Sequence, residues 1–282
     1  MQLNQFINTI VLILNNNHIN KFRSIYKHLQ WQLRKLFNLF PYQQKFSESL
    51  IIAENKYNGV SALINCMGIY DYNNMNLIKL LLKQGGIFFD IGANIGSYTL
   101  IASEQANANV YSFEAHPGTF LSLKKNIILN NRDNVKAFNI AVSETDGNVF
   151  FSNLVQTPIN HIMNNNVKNC ISVDSIRLDT FIKKNNVMPE YVKIDVEGFE
   201  YNVLSGIGKY LEFIKVLFIE YNQHTGKNSI NDLLSENFIG PLSFAYDNLT
   251  FKPWLNNNIE DCVYVLRNYQ TKLINMKYNF KF

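Results

Sequence analysis

Between residues 18 and 40 apolar side chains recur at spacings of three and four (Ile19, Phe22, Ile25, Tyr26, Leu29, Leu33, Leu36, Phe37 and Phe40). That period predicts an amphipathic helix, with basic residues on much of its opposite face. Pro41 ends it, because the residue before a proline avoids the α region. From 42 to 75 the pattern is weak. A short helix is expected at 76–83, closed by Gly85 and Gly86. Beyond that point the pattern is regular. Apolar runs at 87–91, 110–113, 135–142, 191–195 and 214–220 read as strands, and periodic segments at 94–103, 117–129, 197–204 and 229–237 read as helices. The run 214–220 is apolar on both faces, as a buried parallel strand should be. Residues 149–152 read as an edge strand after an Asp146-Gly147 turn, 153–169 as a long loop, and 171–187 as a strand and then a helix from near Asp179. Gly206 is expected to end the helix at 197–204. The stretch 242–266 reads as two antiparallel strands. Strand–helix alternation of this kind makes a doubly wound, mostly parallel α/β sheet of Rossmann-like type, closed by a C-terminal antiparallel hairpin and preceded by an N-terminal helical extension.

Composition narrows the class. With 282 residues, 47% hydrophobic and 17% charged, the chain can bury a core and is neither disordered nor fibrous. There is no 18-residue apolar run, so no membrane span is expected. The apolar segment 6–14 is short, contains Asn8, and has neither a basic lead nor a small-residue cleavage site, so no signal peptide is expected. The net charge of +4 is uneven: the first 50 residues carry +5 and the remainder −1. A near-neutral body argues against nucleic acid as a partner. The basic helix at 18–40 reads either as a cap over the sheet with solvated lysines or as a surface for an anionic membrane or a partner. Asparagine runs at 15–17, 164–166 and 256–258 fit AT-rich codon drift and serve as loop markers. Cys66, Cys170 and Cys262 have no paired spacing, which excludes a disulfide framework or zinc site and fits the reducing cytoplasm, with peripheral membrane association as the alternative.

The sharpest chemistry lies in Asp90-Ile-Gly92-Ala93-Asn94-Ile-Gly96, where the first regular strand hands over to its helix. This is the ligand crevice of an open α/β sheet. The two glycines permit a tight turn and a close ligand approach. Glu114, 22 residues after Gly92, ends the next strand, where an acid can hold two ribose hydroxyls. A dinucleotide site would use a similar acid. The glycine spacing is G-x-x-x-G rather than G-x-G-x-x-G, however, and Asp90 places a carboxylate beside the loop. That is unfavourable for a pyrophosphate and favourable for the ammonium and sulfonium of S-adenosylmethionine.

Together with GGIFFDIGANIGSYTL (85–100), YSFEAHP (111–117), LKKNIILNN (123–131), SIRLDTF (175–181), YVKIDVEGFEYNVL (191–204) and FIEYN (218–222), these motifs resemble the FkbM-type S-adenosylmethionine-dependent methyltransferases over roughly residues 68–225. The K-I-D-V-E-G-x-E segment is the most specific. The resemblance implies a class I methyltransferase fold and O-methylation of sugars or secondary alcohols. It implies a cofactor site at Asp90, Gly92, Asn94, Gly96 and Glu114, to which Ala93, Ala115 and Ala141 are added. Ala115 departs from the proline that usually follows the acid in this family. The expected division is an extension over 1–67 and a methyltransferase domain over 68–282.

A second cluster, Lys193, Asp195, Glu197 and Glu200, surrounds the strand at 191–195. Lys193 and Asp195 share one side of that strand. Asp195, Glu197 and Lys193 are the expected catalytic residues, and Glu200 is read as an acid complementing a helix dipole. An ordinary Asp, with a pKa of about 3.9, cannot deprotonate an alcohol in the ground state. It can orient the hydroxyl and accept the proton late. Asp195, Glu197 and Glu220 form the alternative set of hard oxygen ligands for Mg²⁺ or Mn²⁺, although no metal is expected. His116 and His224 are candidates for lining the acceptor pocket. The expected acceptor is a small molecule or glycan. The rivals are an RNA or protein methyltransferase, an NAD-dependent oxidoreductase and a cofactor-binding protein without catalysis.

Overall fold

The computed structural model describes residues 2–152, 162–163, 170–221, 227–255 and 260–282. His224, the asparagine runs 164–166 and 256–258, and most of the expected loop 153–169 lie outside the described residues. Helices α1 (Gln2–Asn15) and α2 (Lys21–Leu36) lead into a hairpin of β1 (Tyr42–Phe46) and β2 (Ser49–Ala53), then α3 (Gly59–Met67) and α4 (Tyr72–Leu81). The segment 1–67, expected as helical, therefore contains an antiparallel hairpin. Its alternation is masked because the inward face of β1 carries Gln44 beside Phe46, and the buried amide donates from Nε2 to the Ser61 carbonyl at 2.9 Å. Helix α4 starts at Tyr72 rather than 76 because the Asp71 side chain accepts from the Asn74 amide as its N-cap.

Then follow β3 (Gly86–Ile91), α5 (Ser97–Ser103), β4 (Ala108–Phe113), α6 (Pro117–Leu129) and β5 (Val135–Phe138). The expected strand 135–142 is in fact two. β5 ends at Phe138, and β6 (Ala141–Ser143) joins a separate small sheet with β7 (Gly147–Ser152), β8 (Ile162–Met163) and β9 (Cys170–Arg177). Next come α7 (Leu178–Asn185), β10 (Tyr191–Ile194), α8 (Glu200–Ile207), β11 (Val216–Tyr221) and α9 (Lys227–Leu234). Helix α8 starts three residues later than the pattern suggests, because Glu197 and Gly198 adopt positive φ (55° and 103°). Gly206 lies inside α8 rather than ending it; a Cβ there would sit 2.3 Å from the Ser143 carbonyl oxygen, so it serves close packing on β6. The C-terminal part holds β12 (Phe238–Ala245), β13 (Thr250–Pro253), β14 (Glu260–Leu266), α10 (Arg267–Asn275) and β15 (Asn279–Phe280), more than the expected two strands.

The main sheet runs β15-β13-β12-β14-β11-β10-β3-β4-β5. Strands β11, β10, β3, β4 and β5 are mutually parallel, and β14 and β12 close the sheet in antiparallel fashion. Alternate residues supply two cores. Phe88, Val110, Tyr191 and Phe218 pack on one face, and Phe89, Phe113, Val192 and Leu217 on the other. Phe46, Ile51 and Ile64 of the first 67 residues belong to the first core. Strand order reverses between β3 and β10, so their carboxyl ends open the ligand crevice.

Helix α2 turns the sequence expectation around. Its buried residues are Ser24, His28 and Trp31. The apolar stripe Phe22, Tyr26, Leu29, Leu33 and Leu36 is exposed.

Candidate functional site

A cavity of about 550 Å³ opens at the carboxyl ends of β3, β4, β10 and β11, within the size range of small-molecule sites. Its shape begins with the loop after β3. Gly92 has φ +82°, and a Cβ there would lie 1.8 Å from the Asp195 carbonyl oxygen, so only glycine lets the loop pass β10. The amides of Gly92 and Ala93 both donate to the Phe113 carbonyl at 2.9 Å, tying the loop to the end of β4. Gly96, with φ +95°, brings the start of α5 against Leu123 of α6, where a Cβ would meet Cδ1 at 2.6 Å.

Glu114, just past β4, lines the cavity and is nearly buried. Its Oε2 accepts from the Asn94 amide and its Oε1 from the His116 amide, both at 2.9 Å. Burial pushes its carboxyl up to about 7, against the pull of those amides. Around it stand Ala115, His116, Ile140, Ala141, Val142 and Phe151, a mostly apolar wall suited to an aromatic ring. Of the expected cofactor residues, Gly92, Asn94, Glu114, Ala115 and Ala141 line the cavity; Asp90, Ala93 and Gly96 stand outside its wall. Asp90 was expected beside the ligand, but its Oδ2 accepts from Thr99 Oγ1 at 2.6 Å, and Thr99 in turn bonds Ser112 Oγ at 2.7 Å. Burial pushes Asp90 up to about 6. It ties β3 to α5 and β4 beneath the loop.

The opposite end is acidic. Asp195, Glu197 and Glu220 line the cavity, and their carboxylates offer oxygens within 4.8 Å of one another. The alternative metal-ligand set is thus brought together, yet it already has a fixed cation. Lys193 is buried behind Asp195, with Nζ 2.8 Å from Asp195 Oδ2 and 3.5 Å from Asp261 Oδ2. Burial opposes its charge, but Asp195 and Asp261 outweigh burial and hold the ammonium well above its ordinary value. Lys193 is outside the cavity wall, so its effect on a reactant passes through Asp195. Burial, then the charges of Asp195 and Glu200, push Glu197 up to about 7; burial and Asp195 raise Glu220 as well. Glu200 is fully buried and does more than complement a dipole. Its Oε1 accepts from the amides of Val196 (3.3 Å) and Gly198 (3.0 Å), holding the turn that presents Glu197.

The stretch 41–75, weak in pattern but expected to shape the acceptor pocket, supplies Glu54, Tyr57, Asn58 and Val60 to the wall. Tyr70 also faces the cavity and bonds Ser97 Oγ at 2.9 Å. Asp261 meets the cluster only because β14 pairs with β11 in the register Glu220↔Asp261. His116 lines the cavity at the Glu114 end, 6.5 Å between ring centroids from Phe151, and also caps α6.

The family model described as the methyltransferase FkbM domain matches residues 90–252. The hexuronic acid methyltransferase AglP of Haloferax volcanii is 29% identical over 169 residues, covering 57% of this chain and 67% of that protein. Methyltransferase 1 of Beauveria bassiana is 27% identical over 141 residues, covering 42% and 57%. Among solved structures, the SAM-dependent methyltransferase from Agrobacterium tumefaciens aligns with a TM-score of 0.43 at 9% identity, over 68% of this chain and 56% of that one.

Proposed function

Because the chain belongs to the FkbM methyltransferase domain family, whose methyl donor is S-adenosylmethionine, we propose that it methylates a hydroxyl of a sugar. The residues fit the cofactor. Glu114 is placed for ribose hydroxyls, Ile140, Val142 and Phe151 for the adenine ring, and the acidic end of the cavity for a cation. When bound, S-adenosylmethionine supplies an electrophilic methyl on a positively charged sulfur.

The acidic end carries the reading. A sugar hydroxyl needs an acceptor for its proton as the new O–C bond forms, and Asp195 is a cavity-facing carboxylate held in place by the Lys193 ammonium. Glu197 and Glu220 stand beside it to accept hydrogen bonds from neighbouring hydroxyls of the same ring. Tyr70 and the wall from Glu54 to Leu63 help confine the acceptor, and alignment alone can supply up to about 7–11 kcal/mol of barrier reduction. Lys193 is paired with Asp195 and Asp261, so the acidic end offers no free ammonium to a phosphate, which disfavours RNA. The same holds for the carboxylate of a uronic acid, although AglP, named for hexuronic acid, supports a sugar acceptor in general.

The test is incubation with methyl-labelled S-adenosylmethionine and either neutral glycosides or hexuronic acids. Label in a neutral sugar that resists mild alkali, as an ether does, is expected. Alkali-labile label on hexuronic acid would show ester formation and overturn the hydroxyl assignment. Label confined to RNA or protein of a cell extract would favour the polymer-methylating rival.

A further inference from the structure

The Lys193 ammonium is enclosed behind the cavity wall. Its side chain is 2% exposed, and a cation so deep needs compensating charge close by. Asp195 Oδ2 lies 2.8 Å from Nζ and Asp261 Oδ2 3.5 Å. The Tyr98 ring covers the same Nζ, 4.6 Å from the ring centroid. The Tyr98 hydroxyl lies 2.9 Å from Asp261 Oδ2 and also meets Asp71 Oδ2, from the acid that caps α4. Strand pairing assembles the group. Ile194 of β10 pairs with Ile219 of β11, and Glu220, the next residue, with Asp261 of β14. Asp195 and Asp261 therefore flank Glu220 at the carboxyl end of the sheet.

Of Lys193, Tyr98, Asp261, Asp71 and Asp195, only Asp195 lines the cavity. Its Oδ2 accepts from Lys193, while its Oδ1 has no hydrogen-bond partner among the described residues. Asp261 accounts for that division. An ammonium with a single carboxylate beside it is free to centre on that carboxylate and cover both oxygens. A second carboxylate, anchored by the Tyr98 hydroxyl, draws Nζ to one side, so that one oxygen of Asp195 is pinned and the other left over.

We propose that Asp261 and Tyr98 are positioning residues for methyl transfer: they hold the Lys193 ammonium on one oxygen of Asp195 and leave the other to the acceptor hydroxyl. This rests on the reading of Asp195 as the proton acceptor. It does not depend on which hydroxyl compound is methylated. Neither residue touches a reactant, since both stand outside the cavity wall.

The test is a double-mutant cycle on kcat with Asp261→Asn and Asp195→Asn, using whichever acceptor the parent labels, together with a crystal structure of Asp261→Asn. That substitution keeps the shape and still accepts from Tyr98 but removes the charge. It should lower kcat about tenfold and leave acceptor KM and S-adenosylhomocysteine affinity within about twofold of the parent. In the Asp195→Asn background it should change kcat by less than about twofold, because the group it works through is gone. Tyr98→Phe keeps the ring over Nζ and loses the anchor, so a smaller loss of kcat is expected. The crystal structure should show Nζ within hydrogen-bond distance of both Asp195 oxygens. Equal losses in the two backgrounds would mark general structural damage and overturn the proposal. So would an unchanged kcat, a loss confined to acceptor KM, or an Asp195 Oδ1 still clear of Nζ in the crystal. Full turnover by Asp195→Asn would remove the proton acceptor itself and the proposal with it. Label on RNA or protein would overturn the sugar reading alone, and the same cycle on that acceptor would still decide the positioning role.

Discussion

On the proposed reading, Glu114 and Asp195 divide the work of the cavity between its two ends. Glu114 is held by two backbone amides, so its carboxylate is fixed in position, as the proposed contact with ribose hydroxyls requires. Glu114→Gln keeps the shape but puts an amide where two hydroxyls must be accepted. Calorimetry with S-adenosylhomocysteine should show binding at least about tenfold weaker. Asp195→Asn should leave that affinity nearly intact and lower kcat by about 10²-fold or more, the range expected for a lost proton acceptor. Equal turnover by Asp195→Asn and the parent would remove Asp195 from the chemistry. The pattern G-x-x-x-G followed by Glu114 was legible from residue types alone. The place of Asp90 was not. Its partners Thr99 and Ser112 come from a helix and a neighbouring strand, and only their packing shows that the carboxyl faces inward.

At the scale of elements, backbone conformation and packing decide what periodicity leaves open. Gly206 illustrates this. Read along the chain, a glycine after an apolar run looks like a helix stop. In the fold it is the point where α8 presses on β6, 2.3 Å from a Cβ position to the Ser143 oxygen. Gly206→Ala should therefore destabilise by about 1–3 kcal/mol through overpacking, even though alanine is about 1 kcal/mol the better helix former. Urea unfolding measures the difference, and a more stable variant would show that the contact relaxes freely. The hairpin β1–β2 escaped the pattern for a related reason, since a buried glutamine whose Nε2 donates to a distant carbonyl reads as polar until that carbonyl is located. The mirror case is α2, whose apolar stripe is legible but whose orientation is not. Periodicity gives a stripe; only docking on α3 shows which side is covered.

For the molecule as a whole, buried carboxyls set the response to pH. Burial raises Asp90 to about 6 and Glu114 to about 7, and lifts Glu197 to about 7. Each then holds a proton in the folded state that the unfolded chain has released. Their contribution to stability is present near pH 5 and is lost as pH rises through about 6–7. Thermal unfolding without cofactor should give a Tm at pH 5 at least about 3 °C above that at pH 7.5. A Tm that rises with pH over this window would contradict these positions. Cofactor that hydrogen-bonds the ionised Glu114 should oppose the trend, so its binding should tighten as pH rises through about 7.

The residue order alone determined the alternating α/β architecture, the glycine loop with Glu114 at the end of the next strand, and the carboxylate at the end of the strand after Lys193. These are local properties: a period of two or 3.6, a turn that needs positive φ, and residue types a fixed distance apart. Tertiary structure decided what depends on distant partners. It drew Asp261 to Asp195 and Lys193 through strand pairing, selected which residues of 41–75 wall the cavity, put Asp90 underneath the loop, and left the apolar row of α2 facing outward. Strand register and helix docking join residues far apart in the chain, and no local pattern encodes which of their faces meet.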